Sequence, residues 1–283
     1  MNKILVPFDF SEQAQHALDL STNLSSKLDN VEITVLHVIE IPSTAGMNTM
    51  GGGEMVPDYE NQIFFIELMD RRKAQFKEME SKYSGNNYSF RTKLVLGNAF
   101  KSISSAILEE DPDLVVMGSK GSSGMEEVLI GSNTEKVVRT AHCPVVTVKT
   151  ATDPATIKKI VFASDFREDQ DELANQLIAL QKLFDADLYL VIINTPGSFE
   201  TTRESAVRIK RFVNKYAIVG AVAEIYNSYS EEAGIVEFAG DIDADMIAMA
   251  THGRTGLAHL FTGSIAEDVV NHAKRPVWTF KTK

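Results

Sequence analysis

A chain of 283 residues with a formal net charge of −11 and 44% hydrophobic residues can bury one large core or two modest ones, and two domains is the expectation at this length. The pI near 5.1 argues against nonspecific binding to nucleic acid, which needs lysines and arginines to neutralise phosphates. The opening run from Met1 to Pro7 reads straight into a strand and no later apolar stretch reaches membrane length, so a soluble cytoplasmic protein with no membrane partner is expected.

In chain order, the first half offers apolar runs at 3–8, 31–38, 90–96, 113–118 and 145–149, separated by stretches whose apolar residues recur at helical spacing. Ser11 is placed to cap a helix burying Ala14, Ala17, Leu20, Leu24 and Leu28. The segment 43–53, with consecutive Gly51, Gly52 and Gly53, reads as a surface loop, either a lid over a site or a connection with no role. The helix after it, through Phe64, Phe65, Leu68, Met69, Phe76 and Met79, has the spacing of a core stripe rather than a binding stripe. Ile103, Ala106 and Ile107 mark the inner face of another helix. Cys143 is the only cysteine, which excludes an intramolecular disulfide, and before Pro144 and an apolar strand it reads as a small buried hydrophobe. Thr150 to Pro154 form a polar linker, after which Leu173, Leu177, Leu180 and Phe184 line a helix and Leu188 to Asn194 a strand.

The second half repeats the first. Lys3-Ile4-Leu5-Val6-Pro7-Phe8-Asp9-Phe10 returns as Lys159-Ile160-Val161-Phe162-Ala163-Ser164-Asp165-Phe166, and the stretch from Asp111 to Gly121 returns from Asp243 to Gly253. The register then holds, pairing Gly131-Ser132 with Gly263-Ser264 and Cys143-Pro144-Val145 with Arg275-Pro276-Val277. Strands apolar on both faces and alternating with helices imply a parallel sheet covered on each side. The expected architecture is two tandem open α/β sandwiches, over residues 1–150 and 156–283, each with five parallel strands and helices on both faces. In such folds ligands sit beyond the carboxyl ends of the strands, where Asp9, Val38 and Gly118 should converge.

The chemistry rests on the glycine loops. Gly118-Ser119-Lys120-Gly121 follows a strand, and nine residues later Gly131-Ser132 opens the helix beginning Asn133-Thr134. Glycines let backbone approach a phosphate chain, and the free N–H groups of a helix start attract anions. This signature, the Asp9 strand, the Leu36-His37-Val38 strand end and the closing Cys-Pro-Val strand together resemble the universal stress protein family over nearly the whole chain. The resemblance implies an adenine-nucleotide alpha-hydrolase-like fold and a site for ATP, ADP or AMP. It places Pro7, Asp9 and Val38 around adenine, Gly118 by the ribose, and Gly121, Gly131, Ser132 and Asn133 around the phosphates, with Mg or Mn bridging phosphate oxygens and no metal ligand from protein side chains. Asp9 also suits a plain helix cap. The family further implies that the two last strands cross-pair as an internal pseudo-dimer, with a homodimer of the whole chain left open.

The second half departs from the pattern. Ala250 stands at the first glycine position and Tyr229-Ser230 opposite Gly97-Asn98, while Ala163, Asp165, Ile193, Gly253, Gly263, Ser264 and Ile265 mark a second site that is weakened, altered or structural. Neither a P-loop, a nucleophile elbow nor a metalloprotease helix motif is present. His252 in the second glycine loop reads as an exposed histidine, and Lys120 opposite it as a positive charge near phosphate. A regulatory nucleotide-binding module is therefore the leading expectation, beside a weak ATPase or autokinase with no catalytic residue assigned, and a structural or lipid-linked adaptor.

Overall fold

The computed structural model describes residues 1–26, 28–40, 59–83, 87–121, 130–167, 171–252 and 265–282, the side chains of 59–65 and 252 excepted. The first half runs β1 (Lys3–Pro7), α1 (Glu12–Ser25), β2 (Glu32–Ile39), α2 (Tyr59–Tyr83), β3 (Ser89–Leu96), α3 (Ala99–Glu110), β4 (Leu114–Gly118), α4 (Ser132–Thr140) and β5 (Val145–Val148). The second runs β6 (Lys159–Ala163), α5 (Asp171–Phe184), β7 (Asp187–Asn194), α6 (Thr202–Tyr216), β8 (Ala221–Asn227), α7 (Glu231–Asp241), β9 (Met246–His252), α8 (Ile265–His272) and β10 (Val277–Thr282). No helix of the described residues is long and apolar enough to cross a membrane.

Ser11 caps α1 as its position suggested, its hydroxyl accepting from Ala14 N–H at 3.2 Å. The helix ends at Ser25, so Leu28 lies beyond it and still packs against the core. Cys143 is buried, and burial pushes its thiol up to about 12, which keeps it protonated and unreactive at neutral pH.

The ten strands of the described residues join one sheet in the order β3-β2-β1-β4-β5-β10-β9-β6-β7-β8. Each half is parallel within itself, because each strand is followed by a helix that returns the chain to the same end. Strand order reverses between β1 and β4, and again between β6 and β9, so a crevice opens above each of these points. The last strands meet antiparallel, with Val277 opposite Thr147, Trp278 opposite Val146 and Thr279 opposite Val145. The Thr147 hydroxyl donates to the Val277 carbonyl at 3.3 Å and that of Thr279 to Val145 at 3.4 Å.

Alternation along the strands divides the core. Ile4 and Val6 face one side with residues of α1, α2, α5 and α6, and on this side Val146, Val148, Trp278 and Phe280 make one continuous apolar cluster across both halves. Leu5 faces the other side, where α3 and α4 cover one cluster and α7 and α8 another. The join is more than a polar linker. Asp153 caps a turn of 3-10 helix at Pro154–Thr156, Pro154 is buried, and Ile157 lies fully inside the shared core.

Candidate functional site

Asp9 sits just past β1, Val38 near the end of β2 and Gly118 at the end of β4, and the three line one cavity of about 370 Å3 above the first switch point. Pro7, Gly121, Gly131, Ser132 and Asn133 line it too, so the structure brings together all eight residues singled out in the first half. The turn out of β1 explains how Asp9 is aimed. Phe10 holds a left-handed backbone with φ of 66°, a costly state for a bulky residue, and Phe166 repeats it at 51°. The Phe10 ring meets Phe8, His37 and Phe76 with centroids 5.0, 4.9 and 5.9 Å away, contacts that offset the strain and point the preceding carboxylate up into the crevice.

The Asp9 carboxylate serves two neighbours. One oxygen accepts from the N–H of Ser11 at 3.0 Å, bracing the residue that caps α1 rather than capping the helix itself, and the other lies so close to Gly121 that a Cβ there would sit 2.7 Å from it. Gly118 needs its missing side chain for a reason the motif does not show. A Cβ on it would meet the Gln13 Cβ at 2.8 Å and the Gln13 carbonyl carbon at 2.9 Å, so helix α1 lies directly on this glycine. Gly131 is different: its N–H donates to the Ser119 carbonyl at 2.7 Å, closing the loop. That N–H is spent on the protein itself. The N–H groups of Ser132, Asn133 and Thr134, the first turn of α4, have no partners within the helix and lie at the crevice. The Thr134 hydroxyl donates to the Gly118 carbonyl at 2.9 Å and ties this turn to the end of β4.

Sequence reasoning missed Arg72, Glu40, Leu68 and Ala99, all of which line the cavity. Leu68 belongs to the stripe read as core. Of that stripe, Phe76 is buried and Met79 packs on the core, whereas Leu68 faces the crevice; Phe64 and Phe65 lie outside the described side chains. The Arg72 guanidinium stacks over the Phe10 ring at 4.2 Å and donates to Gln75 Oε1 at 2.8 Å. Burial pulls it below its usual range, the charge of Arg71 adds to this, and Asp9 opposes both. Glu40 accepts from Ala99 N–H at 3.0 Å and so links the end of β2 to the start of α3. Lys120 completes the rim with a positive charge.

His37 forms the floor beside these groups. Its Nδ1 hydrogen-bonds the Phe8 carbonyl at 2.6 Å, burial lowers its pKa from 6.5, and Arg72 lowers it further against the pull of that hydrogen bond and of Asp9. The depressed value means that the unfolded chain takes up the His37 proton first as pH falls. Stability from the neutral ring is thus complete above pH 6.5 and declines on acidification below it. Urea midpoints at pH 7.5 and 5.5 should therefore separate less in His37→Asn, whose amide can keep the bond to Phe8, than in the parent; equal separation would remove His37 as a source of the acid sensitivity.

The second crevice, of about 460 Å3, has different walls. Ala163, Asp165, Ile193, Ala250 and Ile265 line it; Gly253, Gly263, Ser264 and the His252 side chain lie outside the described residues, as does the glycine segment 43–53. Pairing Pro7 with Leu36 and Ala163 with Val191 makes Ile193 the register counterpart of Val38. The contrast expected at Gly97-Asn98 falls one residue later. Asn98 and Ser230 do the same work as helix caps, but Glu231 replaces Ala99 and holds its carboxylate 3.1 Å from the Ser198 hydroxyl and 3.3 Å from that of Thr195. Arg208 occupies the place of Arg72, bonded to Glu200, which also pairs with Arg167 at 2.7 Å; Arg167 in turn lies 3.9 Å from Asp165. Ile265 and Ala266 stand where the first half has Asn133 and Thr134.

The model of the universal stress protein family matches residues 1–149 and again 156–281. The chain belongs to the universal stress protein family. Among curated members, Slr1230 from Synechocystis sp. is 23% identical across 99% of this chain and all of its own length, a tandem-length relative. The universal stress protein YxiE of Bacillus subtilis is 28% identical over 52% of this chain and 99% of itself. The structure of a universal stress protein from Archaeoglobus fulgidus shares the fold over 99% of this chain and 96% of its own, with a TM-score of 0.75 at 21% identity.

Proposed function

We propose that the first universal stress protein domain, residues 1–150, binds adenine nucleotide, with ATP as the fullest match and ADP or AMP as shorter forms, while residues 156–283 form a second domain with an altered site. The observation that carries this reading is the convergence of Asp9, Val38, the Gly118 loop and the start of α4 on one crevice at the switch point. Ile39, Ile103 and Met117 supply an apolar wall suited to a base. Asp9 and the Val38 backbone offer a carboxylate and peptide groups to its polar edge. The first turn of α4, the Ser132 hydroxyl and Lys120 supply donors and positive charge for a phosphate chain, and the absence of a side-chain cap on Gly131 leaves that helix end open to it. A magnesium or manganese ion would ride on the phosphate oxygens. Cytoplasm, where ATP and magnesium are plentiful, is the setting that suits such a module.

The second crevice presents a carboxylate, Glu231, and apolar Ile265 and Ala266 where the first presents Ala99, Asn133 and Thr134. Those exchanges disfavour an anionic ligand. Calorimetric titration with ATP and magnesium, backed by mass spectrometry of whatever small molecule leaves the protein on denaturation, should give close to one equivalent of adenine nucleotide per chain. Failure of ATP, ADP and AMP alike to bind would overturn the reading, and two equal equivalents would overturn the assignment of an altered second site.

A further inference from the structure

The first crevice is lined by the first half, but the start of α4 on its rim is held by the second. Asn271, on α8 of the second half, accepts the N–H of Ile130 through its side-chain oxygen at 2.5 Å, and its backbone carbonyl accepts from the Lys149 ammonium at 2.5 Å. Ile130 is the residue immediately before Gly131, and its side chain packs against the apolar cluster of the second half rather than that of its own. Gly131 N–H then bonds to Ser119, and its carbonyl accepts from Glu135 N–H at 3.0 Å, so the peptide that starts α4 is held from both sides. The second half thereby grips the chain one residue upstream of the helix end that faces the crevice.

The twin position cannot make the same bond. By the repeat register, the position on α4 that corresponds to Asn271 is Arg139, and an arginine side chain has no acceptor to offer a backbone N–H. Arg139 instead lies 3.9 Å from Glu135 and 3.8 Å from Glu267 across the seam. An asparagine in one helix and an arginine in its twin mark the support given by the second half to the first as a feature that the repeat does not duplicate at this position.

We infer that Asn271 is a positioning residue for phosphate at the first-half site: through Ile130 it sets the start of α4, so the second domain tunes how tightly the first holds the phosphate chain of a nucleotide. The inference rests on the nucleotide reading above. It makes no contact with the base end of the crevice, so the effect falls on phosphate-bearing ligands and spares the nucleoside. Lys149, held by the same residue, adds a second tie between the two halves.

The test compares the parent, Asn271→Leu, which keeps the size and loses the acceptor, and Asn271→Asp, which keeps it. Calorimetry should show ATP with magnesium binding roughly three- to tenfold more weakly to the leucine variant, the range expected for one lost hydrogen bond. Adenosine affinity should stay within about twofold, and the aspartate variant should keep ATP binding. Hydrogen exchange on the unliganded chains should show the Ile130 amide opening faster in the leucine variant only. Unchanged exchange at Ile130, unchanged ATP affinity, or a loss shared equally by ATP and adenosine would each overturn the inference while the nucleotide reading stands. A parent chain that binds no ATP would remove that reading and this inference with it.

Discussion

Replacing Gly131 with glutamate should abolish ATP binding by at least about a hundredfold while leaving the fold in place. The backbone at this position has φ −65° and ψ 139°, open to any residue. A Cβ would find its nearest neighbours at 3.5 Å, the Gly121 nitrogen, and at 3.6 Å, ordinary contact distances, and the N–H bond to Ser119 survives because it is backbone. The added carboxylate, however, stands at the start of α4 where phosphate would lie. Two unit charges about 4 Å apart repel by about 4 kcal/mol at an effective dielectric near 20, and salt reduces this without removing it. The measurement is calorimetry beside a thermal melt. A variant that melts with the parent and binds ATP within tenfold of it would place the phosphates elsewhere.

Gly118→Ala should do the opposite, destabilising the protein before any ligand is added. The new methyl group overlaps Gln13 at 2.8 and 2.9 Å and approaches the Ala14 nitrogen at 3.1 Å, and two of these three atoms are backbone of α1 that no rotamer change can move. The helix must lift from β4, at a cost of about 1–3 kcal/mol for overpacking. Chemical unfolding without nucleotide reads it directly. An unchanged midpoint would return Gly118 to the ribose role that family resemblance suggests, and a lowered one assigns the glycine to packing. Ala250 occupies the equivalent place in the second half, where residues 169 and 170, the counterparts of Gln13 and Ala14, lie outside the described residues.

What could be read from the sequence was local to the strands. Three of the apolar runs end at or just before a residue that enters the crevice, so Asp9, Val38 and Gly118 could be placed from strand boundaries and the rule that ligands gather at the carboxyl ends. The duplication supplied two copies of the last strand, and the family resemblance implied that they pair with each other. What could not be read depends on contacts between distant segments. Arg72 reaches the crevice from the middle of a helix whose pattern looks like core, and nothing in its neighbours marks it. Gly118 resembled a ligand contact because Gln13, the residue that excludes a side chain, lies more than a hundred positions away. Glu231 follows a helix cap that two different residue types fill equally well, so the exchange that matters was hidden behind one that does not.

The antiparallel pairing of β5 with β10 has an evolutionary reading. When two copies of one polypeptide associate, every substitution appears in both, and a change that ruins one pocket ruins its twin. Here the pairing partners are separate stretches of a single gene product, joined by Ile157 and a shared core. One copy can then keep the ancestral chemistry while the other drifts, provided the drift leaves the seam intact. Val277, Trp278 and Thr279 are matched to Thr147, Val146 and Val145, while Ala250, Glu231 and Ile265 differ from Gly118, Ala99 and Asn133. Within one chain, two paired halves are free to carry different pockets.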